Sequence, residues 1–91
     1  MTVIWTNRFK REYDSCIKRG LDIQKLDDVI KKLSKNEPLP SQYHDHFLQG
    51  DYKGFRECHI QPDWLLIYKI DNNKLILVLS RTGSHSDLFK H

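Results

Sequence analysis

An α+β fold, with a helical hairpin packed on a mainly antiparallel sheet, is what this sequence predicts, and three observations predict it. The first half follows a short β-rich run with apolar residues at helical spacing. The second half carries three runs rich in β-branched and aromatic residues, separated by turn-forming residues. The chain of 91 residues allows one core, hence one domain over residues 1–91. The expected order is β-α-α-β-β-β followed by a short C-terminal helical turn.

Thr2–Trp5 (T-V-I-W) reads as the first strand. Asn7 can cap the helix that follows, in which Phe9, Tyr13, Cys16 and Ile17 share one face. Gly20 ends that helix, and Asp22 can cap a second whose stripe is Leu26, Val29, Ile30 and Leu33. The short link makes the two an antiparallel hairpin. Lys31, Lys32 and Lys35 lie off the stripe as a solvated face or as part of an electrostatic footprint. From Asn36 to Lys53 the periodicity is lost, in a loop longer than a connector needs, with Phe47 and Leu48 as its expected anchors. Phe55–Ile60, Trp64–Ile70 and Lys74–Arg81 are the remaining strands. The runs W-L-L-I-Y-K-I and L-I-L-V-L-S are apolar at both parities, which calls for cover on both faces. Ser84, three residues before Asp87, suits the N-cap of a terminal turn.

Basic residues outnumber acidic ones 15 to 12, a net charge of +3. That balance permits nucleic acid as a partner without requiring it. No apolar run reaches the ~18 residues of a membrane span, and the N-terminus lacks the pattern of a signal peptide. Cys16 and Cys58 fall within apolar patterns, as free buried thiols of a reducing compartment do. A cytoplasmic protein without a membrane role is expected.

Chemistry concentrates in two stretches, His46–Trp64 and Arg81–Phe89, which are expected to meet in space and act on RNA. His59 and Asp63 flank a tight turn, so the carboxylate either supports the imidazole as a general base or simply serves the turn. Arg81, His85 and Phe89 can hold a phosphate, donate a proton and stack a base, or they are polar residues of a tail. His44 and His46 form H-D-H, but no C-x-x-C or H-x-x-x-H accompanies them, so no metal site is assigned.

The motifs D-H-F-L-Q-G, K-G-F-R-E-C-H-I-Q-P-D-W-L-L-I-Y-K-I and R-T-G-S-H-S-D-L-F together resemble the YafQ branch of the RelE-like bacterial toxins. The resemblance implies a RelE-like fold and a ribosome-dependent mRNA endonuclease, the toxin half of a type II toxin–antitoxin pair. It places the family's catalytic residues on His46, His59, Asp63 and His85, and its adjoining aromatics on Trp64 and Phe89. Phe47 departs from the family, whose members carry proline there. The implied partners are a cognate antitoxin, the ribosome and mRNA, with no cofactor and no DNA bound by the toxin alone. In the implied mechanism the substrate's 2′-OH attacks, Asp63 or His59 is the base, and His85 is the acid. Arg81 and a protonated His46 stabilise charge there, and Trp64 and Phe89 position the nucleotide, Trp64 being equally eligible as core. The rival reading is a non-catalytic ParE-like toxin that binds a topoisomerase.

Overall fold

The computed structural model describes residues 1–89. Its elements are β1 (Thr2–Trp5), α1 (Asn7–Lys18), α2 (Ile23–Ser34), β2 (His46–Phe47), β3 (Arg56–Gln61), β4 (Trp64–Asp71), β5 (Ile76–Gly83) and α3 (His85–Leu88). The five strands form one sheet in the order β1-β5-β4-β3-β2. β1 lies parallel to β5, and the other three pairings are antiparallel.

The cap of α1 is Thr6, one residue earlier than expected: its hydroxyl accepts from the Phe9 amide at 3.1 Å. The same oxygen lies 3.0 Å from the Leu79 carbonyl, to which it donates, so the cap also fastens the helix start to β5. Asp22 caps α2 as expected, accepting from the Gln24 amide. β5 begins at Ile76 rather than Lys74, because Leu75 takes a left-handed conformation (φ 54°) that ends the turn.

Both faces of β4 are covered, as its unbroken apolar run requires. On one face Leu66 and Tyr68 pack with Phe9, Leu26, Val29 and Leu33 of the helical hairpin. On the other, Leu65 and Ile67 are roofed by Leu88 of α3, with Leu48, Tyr52, Phe55 and Phe89 around them. Both cysteines are free and buried. Burial above all, then the nearby Asp45 and Glu57 charges, pushes the Cys58 thiol pKa up, which keeps it protonated and inert.

The expected long loop contains a strand: His46 and Phe47 pair with Glu57 and Arg56. Of its two expected anchors one holds. Leu48 packs inward, but Phe47 is 64% exposed, its ring lying against the Arg56 guanidinium, 5.0 Å from the ring centre. The anchor beside Leu48 is Asp45, which accepts from the Tyr68 hydroxyl and ion-pairs with Arg56. Arg56 and Tyr68 are cross-strand partners, so one carboxylate ties the loop to two strands at once.

Candidate functional site

His46 lies opposite Glu57 in the β2–β3 ladder, and opposed residues share a face. Glu57 and His59 are two apart on β3 and share that same face, the one away from the hairpin. Glu57 Oε1 therefore stands 3.6 Å from both His46 Nε2 and His59 Nε2, although the glutamate is only 5% exposed. His46 Nδ1 is 2.6 Å from the His44 carbonyl. A carbonyl only accepts, so the proton sits on Nδ1 and Nε2 is turned to the site. His44 adopts a left-handed backbone (φ 48°), which brings its ring to 5.6 Å from that of His59, centre to centre.

The other half of the site comes from the end of β5. Leu65 lies opposite Gly83, so continuing that register carries Asp63 towards His85. Asp63 Oδ1 accepts from the His85 backbone amide at 3.0 Å and lies 2.7 Å from its Nδ1. Those two contacts, the backbone one first, hold the Asp63 carboxyl below its ordinary pKa. The expected partner of Asp63 was His59; the register shift between His59 and Gln61 swings the turn towards α3 instead. His59 nevertheless faces His85, ring centres 5.7 Å apart, and His46 lies 6.5 Å from His59.

α3 is short and needs outside support. Ser84 and Asp87 form a reciprocal capping box, with bonds of 3.0 and 3.1 Å. Gly83 lets the turn fold back, since a Cβ there would meet Asp87 at 3.0 Å. Arg19 at the end of α1 donates to Asp87 at 2.6 Å. That bond first, then the Ser84 amide, holds the Asp87 pKa at about 2. The folded pKa is depressed below 3.8, so this contribution is present above roughly pH 4 and is lost as pH falls through about 2. Acidification across that window is expected to free α3 first, raising hydrogen exchange at the Asp87 and Leu88 amides while β4 amides stay protected.

Two sequence expectations need correction. Arg81 was expected to hold a phosphate, but it is 7% exposed. Ser80 is skipped where Ile67 pairs with Arg81 and Tyr68 with Leu79, and this bulge turns Arg81 to the face bearing α3. There it pairs with Glu12 (2.7 Å) and donates to the Leu88 carbonyl and the Tyr52 hydroxyl, both at 3.3 Å. It is a tether for α3, with no donor directed at the histidines. Trp64 was offered as a nucleotide contact, yet it is 2% exposed in the helix-side core, its indole N–H donating to Thr82 Oγ1 at 3.0 Å. Phe89 is half-buried against the Tyr52 ring, 6.1 Å between centres.

The geometry thus offers two imidazoles across a gap, each with a carboxylate behind it, and two more, His44 and His46, beside His59. A carboxylate so placed fixes the tautomer and balances the charge an imidazole gains on taking a proton. Residues 1–90 match the family model described as the bacterial toxin of type II toxin–antitoxin systems, YafQ. The chain belongs to the YafQ toxin family. The mRNA interferase toxin YafQ of Escherichia coli K12 is 40% identical over 86 residues, 93% of this chain and 91% of its own. YafQ in the E. coli DinJ–YafQ complex superposes with a TM-score of 0.89 at 39% identity, covering 96% of each chain. A metal-bound toxin from Helicobacter pylori gives 0.91 at 40% identity, covering 98% of this chain and 99% of that one. Among the described residues of the present YafQ-family chain, no three His, Cys, Asp or Glu side chains are grouped to hold an ion. Among those residues, too, no helix is long and apolar enough to cross a membrane.

Glu57, Asp45, Glu12 and Arg19 are contributors that sequence reasoning missed. Glu57 left a faint signal, an acidic residue two before His59 and so on the same face of the strand. Asp45 sits between two histidines that drew attention away from it. Glu12 and Arg19 lie on a helix remote in sequence and left none.

Proposed function

We propose that this toxin is an mRNA interferase that cuts mRNA on the ribosome by acid–base chemistry through the 2′-OH. The observation that carries the reading is His85, oriented by Asp63, facing His59 at 5.7 Å. Asp63 is engaged twice and its proton affinity is lowered, so the base is His59 rather than Asp63. His59 takes the 2′-OH proton, and His85 gives a proton to the departing 5′-oxygen. Glu57 balances the charge on His59, and His46 faces the phosphorane as a charge stabiliser. Phe89 is left to position the nucleotide. Each proton transfer contributes on the order of 10²–10⁴-fold.

Dependence on the ribosome is supported by the engagement of the nearby arginines: Arg81 with Glu12, Arg19 with Asp87, Arg56 with Asp45. None of these three is free to hold a bare RNA backbone beside the histidines, so the ribosome presents the message. The DinJ–YafQ structures support a cognate antitoxin as partner, with the toxin acting in the cytoplasm. A topoisomerase-binding toxin would have no use for oppositely oriented imidazoles.

The test is induction of the wild type and of alanine variants at His46, His59, Asp63 and His85, with mapping of mRNA 5′ ends. Defined cuts in wild type that fade in the variants are expected. Full cutting by all four variants, or equal cutting of a message with 2′-deoxy sugar at the scissile position, overturns the reading.

A further inference from the structure

A cleft of about 840 Å³ opens beside His59, between the start of α2 and the segment that carries the H-D-H motif. Nothing in the chemistry described so far uses it. His44 and His59 form the wall it shares with the histidine cluster. Gln42, Tyr43 and Gln61 line it further out, and Lys25 of α2 stands on its far side. Beyond the two histidines the lining is therefore two side-chain amides, a phenol ring, the apolar Ile60 and Pro62, one cation and one carboxylate, Asp28, continuous with the place where the phosphodiester would lie.

Each of those groups has a use for a splayed nucleotide. A glutamine amide offers a donor and an acceptor side by side, the pattern that matches the edge of a base. Single-stranded RNA is read by unstacked bases seated against aromatic rings, with cations on the backbone. The volume lies within the range of small-ligand sites, which accommodates a nucleoside with its phosphate.

We propose that this cleft is a base-reading subsite: it receives the nucleobase flanking the scissile phosphate, with Gln42 and Gln61 reading its edge, Tyr43 against its face and Lys25 on its phosphate. The cleft, more than the histidines, then sets where the message is cut. This rests on the cleavage reading above. It would not arise for a toxin that leaves RNA intact.

The experiment compares mapped 5′ ends from cells expressing the wild type, Gln42→Ala, Gln61→Ala, the double variant and Lys35→Ala as a control just past the end of α2. The wild type should favour particular bases at one position next to the cut. The double variant should still cut, with that preference reduced about tenfold, the worth of one well-paired base contact. Lys35→Ala should keep the wild-type profile. An unchanged preference in the double variant overturns the proposal, as does a loss of cutting uniform across all sequences in both single variants. Absence of cuts in the wild type is a different result: it removes the cleavage reading itself.

Discussion

Replacing His85 by alanine lowers the rate of mRNA cleavage by about 10²–10⁴-fold, the usual contribution of one positioned proton donor. It should do so with little change in stability. The His85 side chain is 53% exposed, and Asp63 keeps its bond to the residue's backbone amide whatever the side chain. The measurement is single-turnover cleavage on programmed ribosomes, beside a urea titration of the same preparation. A parallel fall in rate and in denaturation midpoint would mean that the imidazole holds α3 rather than moving a proton. An unchanged rate would remove His85 from the chemistry altogether.

Glu12→Ala is expected to cost about 3–5 kcal/mol of stability, because it strands a buried guanidinium. The Arg81 and Glu12 side chains are 9% and 19% exposed, and Glu12 Oε1 also accepts from the Thr82 amide at 3.3 Å. That amide lies on β5 beyond the last residue paired with β1. One carboxylate therefore satisfies both a cation and an open strand edge. Arg81→Met placed in Glu12→Leu should recover most of the loss, since apolar residues of like volume replace a buried pair at little cost. Urea midpoints at constant slope would check both. Wild-type stability for Glu12→Ala alone would show that the tether does not bear on the fold.

Much of this architecture was legible from local pattern. The stripe of α2, the doubly covered β4 and the Ser84 cap each follow from a few neighbouring residues, and each has a counterpart in the structure. Ile17 of the α1 stripe, by contrast, is exposed, and β5 is fully buried only on alternate residues until its end. Of the four residues named for proton chemistry, His46 and His59 share Glu57, Asp63 pairs with His85, and the His59 and His85 rings face each other at 5.7 Å, although their roles rest on the experiments above. What escaped were relations set by register. A two-residue strand is too short to leave a periodic signal, so His46 looked like loop. One skipped residue at Ser80 reverses the face of Arg81, and no composition rule announces a bulge. The link from Asp63 to His85 spans strands β4 and β5, and turn chemistry alone pointed it at the nearer histidine. Trp64 was ambiguous for a related reason: an indole at a strand start serves core or surface equally until the partner of its N–H is known.

The parallel pairing of β1 with β5 has a consequence for how toxicity arises. Thr2 aligns with Ile76, and the Thr6 hydroxyl reaches carbonyls 73 and 74 positions along the chain. The entropy of closing so large a loop is lost before the contacts that compensate it can form. β5 in turn delivers the segment that bears His85. The helix whose start this closure fixes carries Glu12 and Arg19, so the C-terminal histidine is braced only once the two ends of the polypeptide have met.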